Sequence, residues 1–126
     1  MSDKDIEQEL QAKGKTAPRI TPDYIDSVIV SEHYFTAANG HDGAEQYEID
    51  TGAKKTFNPA PEELACLTFC VLVLQNGFTV TGESACASPE NFDAEIGRKT
   101  ARRNALNKIW PLEGYLLKQK LHDAAV

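Results

Sequence analysis

The chain has little of what a membrane protein or a metal- or cofactor-dependent enzyme displays. Its densest apolar run, Leu67–Leu74, is far too short to span a bilayer. The stretch Met1–Lys15 is polar and charged, without the apolar centre of a secretory signal. Cysteines number only three, Cys66, Cys70 and Cys86, and two of them lie in an apolar strand pattern. That reads as buried thiols in a reducing compartment, not as a disulfide framework. His33, His41 and His122 have no metal-type spacing to one another or to the cysteines. No histidine is placed by sequence to activate Cys86, and Gly77 and Gly82 belong to a turn and a strand, not to a phosphate loop. The expectation is a soluble cytoplasmic protein that is not an enzyme and holds no cofactor or metal.

What is present fits one globular domain: 126 residues, 41% apolar and 25% charged, exclude wholesale disorder. Residues 1–18 read as a flexible tail or a short frayed helix, and 19–126 as a single α+β domain. Thr21-Pro22-Asp23 is a helix start, with Tyr24, Ile25, Val28 and Ile29 at helical spacing behind it. His33-Tyr34-Phe35 reads as extended. From Ala37 to Pro61, Gly40, Gly43, Gly52, Pro59 and Pro61 predict loops around one strand at Gln46–Ile49.

A hairpin is the clearest element. Leu67, Phe69, Val71 and Val73 form one face of a strand and Cys70, Leu72 and Leu74 the other. Asn76-Gly77 predicts a two-residue type I′ turn, and Phe78–Thr81 the return strand. A strand apolar on both faces needs a layer on each side, and one layer is expected from a second subunit. Ser88-Pro89-Glu90 predicts the start of the main helix, which Pro111 stops or kinks before a short final helix to Leu121. Ala94, Gly97, Ala101 and Ala105 form a stripe of small residues; Phe92, Ile96, Leu106 and Trp110 form a bulkier one. The predicted fold is α+β: a small antiparallel sheet built on a central hairpin, packed against helices, and oligomeric.

Charge adds the functional hint. Arg98, Lys99, Arg102, Arg103 and Lys108 crowd one stretch that holds no acid, while the rest of the chain carries 8 cations against 19 acids. A local basic spot on a chain of net charge −6 favours a small anion over a long anionic polymer, so duplex nucleic acid is not expected. Arg98 and Arg102 share one side of a helix, and Lys99 and Arg103 the adjoining side. Guanidinium forks at that spacing suit a pyrophosphate or two separate phosphates. The bland alternative is a solvated basic face paired with Glu90, Asp93 or Glu95. Asn91 and Phe92 offer an amide and a ring for a purine; Phe78 and Trp110 read as core.

The blocks Leu67–Cys86, Ser88–Arg98 and Lys108–Tyr115, with a weaker echo at Arg19–Ile25, resemble a family of small tailed-phage proteins that includes the type-one Thoeris anti-defence proteins. The resemblance spans roughly Leu64 to Leu121. It implies a sponge in the host bacterial cytoplasm that binds and sequesters cyclic ADP-ribose isomers without cleaving them. Some relatives also hold cyclic oligonucleotides at a separate site. It further implies a homo-oligomer, a dimer or dimer-based, with ligand held between subunits by aromatic stacking and Arg–phosphate contacts. The positions of this sequence that fit those roles are Asn91, Phe92, Arg98, Arg102 and Arg103, with Arg19 as a further ligand-binding candidate. The competing expectation is a phage accessory protein that inhibits a host protein by direct contact, with the basic helix as its recognition surface.

Overall fold

The computed structural model describes residues 2–125. Three antiparallel strands, β1 (Ile29–Thr36), β2 (Leu67–Leu74) and β3 (Thr79–Ala85), lie in the order β1-β2-β3. Helices α1 (Asp3–Ala12) and α2 (Pro22–Ser27) precede β1, and α3 (Ala37–Asp50) follows it. Short 3₁₀ turns at Glu62–Cys66 and Pro89–Asn91 flank the β2–β3 hairpin, and α4 (Ala94–Ala124) ends the chain. The architecture is the predicted α+β one, a small antiparallel sheet built on a hairpin and packed against helices. No helix of the described residues is long and apolar enough to cross a membrane.

The local chemistry explains most boundaries. Thr21 caps α2 by accepting the Tyr24 amide at 3.1 Å, with Pro22 in the first turn. Ser2 and Asp5 exchange reciprocal bonds at the start of α1, and Arg19 pairs with Glu7 of that helix. α4 lies across one sheet face through its stripe of small residues: Gly97, Ala101, Ala105 and Ile109 are buried. They meet Cys70, Leu72, Leu74 and Val80 of the sheet and Ile25 and Val28 of the α2 segment in one core. Burying a side chain such as Leu72, which is wholly inaccessible, contributes about 2–3 kcal/mol.

The approach of α4 depends on Gly82 of β3. A Cβ there would stand 2.1 Å from the Ala101 carbonyl oxygen and 2.3 Å from the Ala105 amide nitrogen. Only a residue without a side chain lets the helix backbone seat this closely. The opposite sheet face is less covered: Leu67, Phe69, Val71 and Val73 are half-buried, and the Phe69 ring lies 5.7 Å from that of Phe35.

Four expectations are corrected. Residues 37–50 form a helix, so the predicted strand at Gln46–Ile49 and the loop before it do not exist. Thr36 and Asn39 cap this helix reciprocally, and Gly40 and Gly43 are helical glycines in open space, not turn residues. The helix is held from outside: Glu45 accepts from Lys54 and the Asn58 amide, and Asp42 from the Ala60 amide. Second, the hairpin turn is not type I′, which needs positive φ at both central residues; only Gly77 has it, at +86°. The Gly77 amide bonds the Leu74 carbonyl and the Leu74 amide the Phe78 carbonyl, a three-residue loop with a glycine bulge.

Third, the main helix starts at Ala94 rather than at Ser88-Pro89. Asp93 caps it by accepting the Ile96 amide at 3.0 Å, while Pro89–Asn91 make a separate 3₁₀ turn. It then runs unbroken through Pro111 for 31 residues, so the predicted short final helix is its own C-terminal part. Fourth, of the cysteines expected to be buried only Cys70 is; Cys66 and Cys86 are half-exposed. Ile96 of the bulky stripe is 62% exposed in the single chain.

Candidate functional site

α4 sets the cations. Counting from its buried stripe, Arg98 and Arg102 fall on the flank towards β1, while Asn104 and Lys108 fall on the flank towards β3. Asn104 accordingly donates to the Glu83 carbonyl at 2.8 Å, and Lys108 to the Thr81 hydroxyl at 3.4 Å. Arg102 reaches across to β1: its Nε and Nη2 donate to the two Glu32 carboxylate oxygens at 2.8 and 3.3 Å, and Asp26 lies 3.7 Å away. Tyr34 donates its hydroxyl to the same Glu32 at 2.7 Å. The Arg102 bonds hold the Glu32 carboxyl below the usual glutamate range, and Glu32 in turn raises the Arg102 pKa. Burial, and then the Glu32 bond, push the Tyr34 phenol upward. Burial also raises the Cys70 thiol beside this network.

On its outer side, the same stretch of α4 faces α1 and α2 across a polar cleft of about 620 Å³. Arg102, Arg103, Asn107 and Trp110 line it from α4, with Lys4 and Asp3 from α1 and Asp26 from α2. Arg103 is exposed and, like Arg98, has no ion-pair partner among the described residues. The cleft thus offers two cations without an ion-pair partner among the described residues, Lys4 and Arg103, beside one guanidinium held by Glu32 and two carboxylates, Asp3 and Asp26. An indole face and an amide complete it. Cations, an amide and an indole are the groups suited to an anionic oxygen cluster beside a flat ring.

The six sequence candidates do not converge on one spot. Arg102 and Arg103 line the cleft; Arg98 stands one turn earlier on the Arg102 flank. Asn91 ends the 3₁₀ turn before α4, and the Phe92 ring lies 3.9 Å from where a Cβ on Gly97 would be. Arg19 is occupied by Glu7 and borders a smaller hollow of about 190 Å³ with Tyr24 and Lys120. The solvated-face alternative holds for Lys99, which pairs with Glu95 at 3.1 Å. Lys4, Asn107 and Trp110 were missed. Arg103, Asn107 and Trp110 recur at i, i+4 and i+7, which was the available signal, whereas Lys4 sits in a segment read as a tail.

A second hollow of about 500 Å³ lies at the hairpin end, where Tyr24, Phe78, Leu112, Tyr115 and Leu116 are all exposed. Phe78, expected in the core, is 54% exposed: it closes the hairpin loop opposite Leu74 and precedes β3. Among the described residues no group of three or more His, Cys, Asp or Glu side chains is arranged to hold a metal ion.

Fold and cleft together define a small α+β protein that carries seven of its 13 Lys and Arg residues on one long helix. Residues 20–121 match the Phage protein (N4 Gp49/phage Sf6 gene 66) family, and the chain belongs to that family of phage proteins. No curated protein and no solved structure matches it.

Proposed function

We propose that this phage protein captures a cyclic ADP-ribose-type signalling nucleotide in the host cytoplasm and withholds it without cleavage, as the Thoeris anti-defence proteins it resembles do. The observation that carries the reading is the cleft between α4 and the α1–α2 segment, which joins Arg102 and Arg103 to an indole and an amide. A pyrophosphate is met by Arg103 and Lys4, while Glu32 keeps the Arg102 fork in a fixed orientation. Trp110 supplies the face on which a purine stacks, and Asn107 the amide that reads its edge. Arg98, Asn91, Phe92 and Arg19 stand outside this cleft in one protomer. In the proposed homo-oligomer they contribute at the junction with a second copy, which also covers the half-exposed face of β2. Enclosure between two chains slows release, which a sponge requires.

Calorimetry of the purified protein with cyclic ADP-ribose isomers tests this. Heat of binding is expected, with intact ligand recovered after heat-denaturing the complex. Arg103→Ala should weaken binding at least tenfold without lowering thermal stability, because the side chain is exposed. Absence of heat with folded protein, or recovery of cleaved ligand, defeats the proposal. Inhibition of a host protein by direct contact is the second reading, favoured by the exposed apolar residues around the hairpin-end hollow. It gains ground if no nucleotide binds and Tyr115→Asp abolishes the protein's effect in infected cells.

A further inference from the structure

Cys66 and Cys86 stand opposite each other at the open end of the β2–β3 hairpin. Leu67 pairs with Ala85, so the next step outward in register sets Cys66 against Cys86. The Cys86 amide donates to the Cys66 carbonyl at 3.0 Å, extending the ladder by that step. Residues opposed across such a bond have Cα atoms about 5.5 Å apart, inside the span a disulfide bridges. Both thiols are free and half-exposed, whereas Cys70 is buried. Cys70 pairs with Gly82, four residues along the ladder from Cys86, and is no competitor for it. The Cys86 thiol now donates to the Ser88 carbonyl at 3.1 Å, a bond that rotation about its Cα–Cβ bond releases.

We propose that Cys66 and Cys86 are a dithiol–disulfide pair that closes the hairpin when the surrounding thiol pool turns oxidising. The oxidant is a low-molecular-weight disulfide. One cysteine thiolate attacks a sulfur of that disulfide and expels one thiolate, giving a mixed disulfide. The second cysteine thiolate attacks the protein sulfur, forms the Cys66–Cys86 bond and expels the other thiolate. The two protons lost by the cysteines go to the two small thiols released, so two electrons pass from protein to oxidant. The turn end of the hairpin is already fixed by Gly77; the new bond fixes the other end. It ties together the two 3₁₀ turns, the second of which leads through Asn91 and Phe92 into α4. A reducing pool keeps the pair open.

The test is titration of the intact protein with oxidised glutathione, read by thiol count, intact mass and non-reducing peptide mapping. Cleavage after glutamates puts Cys86 on the peptide Ser84–Glu90, apart from Leu64–Glu83. The expected result is loss of two of the three thiols in the monomer, with those two peptides linked. The oxidised form should melt about 5–10 °C higher than the reduced form. Cys66→Ser should abolish the linked peptides. If that variant does not fold, the fragment masses of the linked wild-type peptide assign the bond to Cys66 or Cys70. Retention of all three thiols, a stable glutathione adduct on Cys86, a Cys70 link, or disulfide-linked dimers only would each overturn the proposal.

Discussion

Replacing Gly82 by alanine probes the fold where its layers come closest. The added Cβ would lie 2.1 Å from the Ala101 carbonyl oxygen and 2.3 Å from the Ala105 nitrogen, against an ordinary contact of 3.4 Å or more. Both neighbours are backbone atoms of α4, so no side chain can rotate aside; helix and strand must separate by roughly 1 Å. That lifts Ala101, Ala105 and Ile109 off Cys70 and Leu72, all of which are fully inaccessible in the native packing. Overpacking by a single methyl group costs about 1–3 kcal/mol where neighbours yield, so about 3 kcal/mol or more is expected here. Gly97→Ala is the internal control. Its Cβ would meet the Thr68 Oγ1 at 2.9 Å, but that hydroxyl is buried without a hydrogen-bond partner and loses none by rotating. The gain in helix propensity, about 1 kcal/mol, offsets the crowding, and Gly97→Ala should fall within about 1 kcal/mol of wild type. Urea denaturation followed by circular dichroism measures both variants. If Gly82→Ala costs less than Gly97→Ala, the close seating of α4 on β3 is wrong.

Three further outcomes follow from the same packing. Glu32→Gln should destabilise by no more than about 1 kcal/mol at neutral pH, because the Glu32–Arg102 pair is one-third exposed. Its folded-state pKa is depressed, so the stabilisation is present above the ordinary glutamate value of about 4.3 and lost as pH falls through the folded-state value. Wild type and variant should therefore draw together in thermal melts as pH falls from neutral into the acid range below the ordinary glutamate value; a gap that does not narrow refutes the assignment. Leu72→Ala should cost about 2–5 kcal/mol, and Val71→Ala on the half-exposed face clearly less; equal losses by urea titration would mean the second face is covered within the monomer. Pro111→Ala should stabilise by about 1–3 kcal/mol, since it restores a donor for the Asn107 carbonyl in a helix that is otherwise continuous; a lower melting temperature would show that the proline shapes the bend.

How much was legible in the sequence follows from the range of the interactions involved. The β2–β3 hairpin and the stripe Gly97-Ala101-Ala105 were legible because periodicity and residue size encode them locally. The turn geometry was not: Asn76-Gly77 suits a two-residue loop equally well, and the register set by Leu74 and Phe78 decides between them. Helix α3 was hidden because Gly40 and Gly43 weaken its propensity, and its support comes from Lys54, Asn58 and Ala60 beyond its own end. The same reasoning sorts the cations. The run Arg98–Lys108 was visible as charge, but which members stay available depends on acids far away in the chain. Arg102 is bound by Glu32, 70 residues earlier, and Arg19 by Glu7 of a helix read as a tail. Arg103, like Arg98, has no ion-pair partner among the described residues, and its neighbours at one and two turns are an amide and an indole. Within the cleft, Arg103 is thus a guanidinium that no ion pair among the described residues holds back from an incoming anion. Glu32 orients the Arg102 fork, and Asp26 lies 3.7 Å from it as well. Glu32→Gln should therefore weaken phosphate-bearing ligands less than Arg103→Ala does, and parallel calorimetric titrations of the two variants decide whether the cleft is the anion site.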